Sequence, residues 1–167
     1  MDSKQHTAAL IAMIIIFQLM INNFINPGPE LFISLVPFAI SLIPRRLHIN
    51  ATMAICFALG LSIDILSRGV IGVNAAAATV LAALREPFYK AFVNQDRQDV
   101  EHNPGIRQSG FSKYLLYIST ATLSYMLVYC FAESSGFGDI FFFLIQFLLS
   151  SLLSIILSCC LSLTVRV

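Results

Sequence analysis

The chain has 167 residues, of which 57% are hydrophobic and only 11% charged, with a formal net charge of +1. A soluble domain carries charge on about a quarter of its residues. That shortfall, with a mean hydropathy of +0.82, excludes a water-soluble fold and makes lipid the solvent for most of the chain. The near-zero net charge says little, whereas the placement of the charges says more.

Apolar runs separated by polar or Pro/Gly punctuation predict the spans. The first covers 8–25 and ends at Asn26-Pro27-Gly28-Pro29. No small-residue cleavage site follows it, so it is expected to be retained and not removed as a signal peptide. The second covers 31–43 and stops at Pro44-Arg45-Arg46. As a helix it would reach only about 20 Å, so it must borrow flanking residues or sit where the bilayer is thinned. The third covers 47–66, and a tight turn at Ser67-Arg68-Gly69 leads to the fourth, 70–84. Arg85-Glu86-Pro87 is expected to close that helix, leaving Phe88 to Phe92 along the interface. A polar stretch over 94–112 is the one substantial loop. The fifth and sixth spans cover 114–132 and 140–163. The predicted architecture is an all-α, polytopic membrane helix bundle of about six transmembrane helices, one domain over 1–167.

Lysine and arginine set the orientation. With the N-terminus inside, the inner segments hold Lys4, Arg45, Arg46, Arg85, Lys90, Arg97, Arg107, Lys113 and Arg166, and Arg68 alone lies outside. That bias places both termini in the cytoplasm. The inner face, with Arg45, Arg46 and the 94–112 loop, is suited to cytoplasmic partners or anionic headgroups.

Ionisable and polar groups inside apolar runs are the default functional candidates, because lipid makes them costly. Asp64 and Arg68 are spaced i, i+4 at the outer end of the third span, either as an ion pair tying down a hairpin or as a contact for an outer-face partner. Gln18, Asn22 and Asn26 form a polar outer-leaflet stripe on the first span, with Asn74 at similar depth on the fourth. They read either as interhelical hydrogen bonds or as the walls of a pocket. Ser151, Ser154, Ser158 and Ser162 make a helix-packing seam on the sixth span, and Ala75, Ala78, Thr79, Ala82 and Ala83 thin the fourth. Such faces allow close backbone approach, against this chain's own helices or a partner's. Tyr114 and Tyr129 fit interfacial belts, with Tyr117 and Tyr125 hydrogen-bonded within the bundle.

The four cysteines, Cys56, Cys130, Cys159 and Cys160, lie in apolar runs without metal-ligand spacing, and His6, His48 and His102 fall outside those runs. They read as buried small hydrophobes, and no metal site is expected. No span pairs a serine or cysteine with a histidine base, and no phosphate loop or dinucleotide fingerprint occurs. The expectation is a non-enzymatic protein without cofactor or nucleic-acid partner.

Phe57 to Leu66, followed by Gly69, Gly72, Val73, Asn74 and Ala75, resembles the pattern of the rod-shape-determining protein MreD family. That pattern is a "G-L-x-x-D-x-x" helix end, a short glycine turn and a "G-x-N-A" helix start. Gly60, Leu61, Asp64, Gly72, Asn74 and Ala75 match it, and the proline-flanked second span (Pro29, Leu31, Pro44) is similar. The specific motif covers about twenty residues, while size and topology fit most of the chain. The resemblance implies a bacterial inner-membrane component of the cell-elongation machinery that maintains cell shape and peptidoglycan synthesis. Its implied partner is MreC, and through MreC or directly the MreB filament, RodA and the elongation transpeptidase. Gly60, Asp64, Arg68, Gly72 and Asn74 become hairpin or partner-binding candidates. The resemblance also implies a fold like the substrate-binding subunits of energy-coupling-factor transporters. The alternative is therefore a small-molecule-binding subunit of a vitamin-type uptake transporter.

Overall fold

Large apolar side chains cover the outside of the bundle, and buried polar ones share its interior with an apolar core, unlike the polar exterior of a water-soluble bundle. The computed structural model describes residues 3–24, 31–45, 47–67, 70–92, 110–133 and 140–165, and among them it is all-helical. The elements are α1 (Ser3–Phe24), α2 (Val36–Ser41), α3 (Ile49–Leu66), α4 (Val73–Phe92), α5 (Phe111–Glu133) and α6 (Ile140–Val165). On α6, Gln146, Ser150, Ser151, Ser154, Ser158 and Ser162 are buried while Leu148, Leu152, Ile156 and Leu163 are exposed. On α1, Ile14, Gln18 and Ile21 are buried and Met13, Ile16, Phe17 and Met20 are exposed. Only a lipid surround makes an exposed apolar rim of this extent favourable.

Among the described residues, four helices are long and apolar enough to cross a bilayer, over Thr7–Phe24, Ile49–Leu66, Ser112–Glu133 and Phe143–Leu163. The protein is a helical membrane bundle. α4 is 20 residues long, about 30 Å, but carries Arg85, Glu86 and Lys90 in its second half. It does not stop at Arg85 as the sequence suggested, and it runs through Pro87 to Phe92. Proline removes one helical hydrogen bond and strains the preceding turn. Here the last turns are held by the burial of Arg85 and Tyr89, with Tyr89 edge-on to Tyr117 at 6.3 Å between ring centroids.

The second predicted span differs most from expectation. Only Val36–Ser41 is helical, with proline in its first turn, and residues 31–35 run into it without helical structure. All six α2 residues are buried, and α2 touches α1, α4 and α5. Non-helical backbone at membrane depth survives only where protein supplies its hydrogen bonds. Here α1 and α6 supply them. Phe32 N–H donates to Ser150 Oγ (3.0 Å) and Ser34 N–H to Ser154 Oγ (3.0 Å). Leu35 N–H donates to Gln18 Oε1 (2.6 Å), and Gln18 Nε2 donates to Ile33 O (2.9 Å). The alternation of Phe32 and Ser34 toward α6 is the two-residue period of an extended chain. The stripe and the seam seen in the sequence thus meet on one buried segment.

Replacing Gln18 with leucine keeps the apolar volume but strands Leu35 N–H and Ile33 O. It is expected to cost about 2 kcal/mol, read as a lower midpoint in thermal unfolding of the detergent-solubilised protein. A midpoint equal to that of the native chain would show that the segment does not depend on this amide.

Candidate functional site

The α3–α4 turn gathers the residues that the sequence singled out. α3 buries Thr52, Cys56, Gly60, Ile63 and Asp64, spaced for one helix face. Gly60 is where that face meets the start of α4. A Cβ built on Gly60 would lie 2.6 Å from Ala75 Cα and from Asn74 O, and 2.7 Å from Ala75 N. These are backbone atoms, so only glycine permits the contact. Gly72, with φ at +101°, turns the chain into α4 in a conformation that disfavours any side chain.

Asp64 is 1% exposed, and its carboxylate takes the place of a helix cap. Oδ2 accepts from Gly72 N–H (2.9 Å) and Ala75 N–H (3.2 Å), and Oδ1 accepts from Asn74 N–H (3.2 Å) and Asn74 Nδ2 (2.8 Å). The first amides of a helix have no partners within it, and its N-terminus carries positive partial charge. One carboxylate from the preceding helix answers both. Asn74 is used on every side, because its Oδ1 also accepts from the Tyr125 hydroxyl of α5. The network therefore ties three helices together in a buried polar cluster.

Gln18 joins α1 to the same half of the bundle, donating to Asn22 Oδ1 at 2.8 Å as well as to the extended segment. Asn23 Nδ2 donates to Leu66 O at 3.3 Å, linking α1 to the end of α3. Asn26 and Arg68 lie outside the described residues, as does most of the polar 94–112 loop. Asp64 bonds four donors around the start of α4, which is the role of a cap. In the serine seam, Ser154 holds Ser34 N–H and Ser151 donates to Leu148 O (3.1 Å). Ser158 and Ser162 are buried with no hydrogen-bond partner among the described residues.

Several functional residues went unnoticed in the sequence. Ser150 bonds the extended segment, and the strict four-residue series Ser150, Ser154, Ser158, Ser162 was its signal. Tyr114 and Tyr129 are packed inside the bundle. They are 0% and 7% exposed, and Tyr129 stacks on Phe32 at 3.9 Å between centroids. Among polar residues within the bundle's described half-turns, Glu133 closes the far end of α5 by accepting from Gln146 Nε2 (2.9 Å). Arg85 is 4% exposed although the sequence treats it as a helix stop, and its Nη2 donates to Ser41 O (3.5 Å) and Ile43 O at the end of α2.

Among the described residues no group of three or more His, Cys, Asp or Glu side chains is placed to hold a metal ion. Cys56 and Cys130 are buried, Cys159 is half-buried and Cys160 exposed. The polar groups converge on backbone amides and carbonyls, an arrangement that fixes helix geometry. Comparison of the chain with protein-family models, curated proteins and solved structures finds no match.

Proposed function

We propose that the chain is a non-enzymatic membrane component of the bacterial cell-elongation complex, of the MreD type, that binds MreC and helps maintain cell shape and peptidoglycan synthesis. The observation carrying this reading is the meeting of Gly60, Asp64, Gly72, Asn74 and Ala75 in one contact set. These are five of the six residues through which the sequence resembles that family, Leu61 being the sixth, and each of the five has a physical task at the α3–α4 turn. A set of residues that together build one hairpin suits a scaffold that presents helix faces to a partner. MreB, RodA and the elongation transpeptidase would be reached directly or through MreC. The location is the bacterial inner membrane, with both termini cytoplasmic by the charge bias.

The transporter-subunit alternative would place a small molecule among Gln18, Asn22, Asp64 and Asn74. Gln18, Asp64 and Asn74 are hydrogen-bonded to the chain itself, which favours the scaffold reading.

Co-expression of the tagged chain with an MreC-type bitopic protein is expected to yield a complex that survives detergent purification. The Asp64→Ala variant is expected to recover at most a tenth of that complex. Failure of the unaltered chain to retain the partner, together with a stoichiometric small molecule in native mass spectrometry, would turn the assignment to the transporter reading.

A further inference from the structure

At the end of α3 and α4 opposite the Asp64 turn, a cavity of about 120 Å³ opens beside Arg45, Thr52, Arg85 and Glu86. That is close to the size of cavities that admit a small organic ligand. Its floor is a buried cation. Arg85 is 4% exposed, and its Nε has no hydrogen-bond partner among the described residues. The neighbouring carboxylate does not serve it. Glu86 is held bidentately by Arg45, Nε to Oε1 and Nη2 to Oε2, both at 3.1 Å. Arg45 is in turn seated on the Tyr89 ring, 3.6 Å from its centroid. Two guanidinium groups and one carboxylate line the cavity, leaving it net positive, and the buried guanidinium has no carboxylate hydrogen-bonded to it although Glu86 is near enough to attract it. A buried guanidinium without such a bond is costly.

We propose that this cavity binds a phosphate group, whose oxygens accept from Arg85 and sit beside Arg45. A phosphodiester with no ammonium attached carries the net negative charge that neutralises the remaining positive charge, which a zwitterionic headgroup does not, and its several acceptor oxygens suit the fork geometry of arginine. The same chemistry is offered by an anionic lipid headgroup or by free phosphate. Leu47 and Ile49 also line the cavity and are 41% and 42% exposed, which gives a lipid's acyl chains an apolar surface next to the headgroup site. Thr52 narrows the cavity while its own hydroxyl donates to His48 O at 3.3 Å.

The test is titration of the purified full chain, in a neutral detergent at fixed ionic strength, with dioctanoyl phosphatidylglycerol, dioctanoyl phosphatidylcholine and inorganic phosphate. Occupancy is read by native mass spectrometry and protection by thermal unfolding. Phosphatidylglycerol is expected to half-saturate the chain at a concentration at least tenfold below phosphatidylcholine. Arg85→Gln is expected to abolish that preference. Because Arg85 also caps α2, Thr52→Leu serves as a second variant. It fills the cavity and leaves every bond of Arg85 in place, and it is expected to lose the preference as well. Protection by inorganic phosphate equal to that by the lipid also supports the site and makes free phosphate its occupant. The proposal is overturned if neither probe surpasses phosphatidylcholine, or if the preference persists in Thr52→Leu.

Discussion

Replacing Asp64 with alanine is expected to lower the free energy of unfolding by about 4 kcal/mol. The carboxylate accepts from three backbone amides and one side-chain amide. Hydrogen bonds to a charged group contribute about 1.5–3 kcal/mol each, and leaving a buried donor unmade is more costly than never having it. In this variant the buried amides of Asn74 and Ala75 would lose their acceptor away from water, and the half-buried amide of Gly72 would lose its partner as well. Asp64→Asn is expected to fall between, at about 2 kcal/mol, because its amide nitrogen would point a donor at donors. The chain has no tryptophan, so far-UV circular dichroism during denaturation in mixed micelles is the suitable readout. An Asp64→Ala protein within about 1 kcal/mol of the unaltered chain would show that the α4 start finds other partners.

Gly60→Ala is the second large effect, and its sign is the informative part. In an ordinary helix interior that change stabilises by about 0.5–1 kcal/mol, since glycine has more freedom to lose. Here the new methyl would stand 2.6 Å from Ala75 Cα. No side-chain rotation relieves that overlap, so α3 and α4 must separate and drag the Asp64 bonds with them. Overpacking of this kind costs about 1–3 kcal/mol, and Gly60→Leu is expected to prevent stable assembly. Paired melting curves of Gly60→Ala and of Ala58→Gly, on the exposed side of α3, give the comparison. A Gly60→Ala chain more stable than the unaltered one would contradict the close approach.

Much of this was legible in residue order. Hydropathy identifies the membrane class and the four long apolar helices, because burial in lipid demands unbroken apolar length. The Gly60, Asp64, Gly72, Asn74 set stands out because charge, amide and glycine are each anomalous in an apolar run. What the order conceals is partnership. The sequence 31–43 is apolar throughout, and apolarity alone does not separate a helix from an extended segment whose amides are bonded by other helices. Ser150 and Ser151 are adjacent, and the choice between them needs the helix to be rotated against its neighbours. Arg85 precedes Glu86 and Pro87, which reads as a helix end. The carbonyls of Ser41 and Ile43, more than forty residues earlier, make its burial possible. The Arg45–Glu86 pair crosses a similar distance in sequence. Within that pair the arginine's hydrogen bonds hold the Glu86 carboxyl below the usual carboxylate range, with burial opposing.

The extended segment also bears on how the protein is made. Synthesis proceeds from the N-terminus, so Phe32 and Ser34 emerge long before Ser150 and Ser154, whose hydroxyls their amides require. Until α6 exists, lipid offers those amides nothing to bond. Gln18 can serve Ile33 and Leu35 as soon as α1 is made, whereas the amides of Phe32 and Ser34 lack their acceptors until α6 follows α3, α4 and α5. The segment before α2 thus completes its hydrogen bonds only at the end of synthesis, and a nascent protein truncated before Ser150 would lack both serine acceptors.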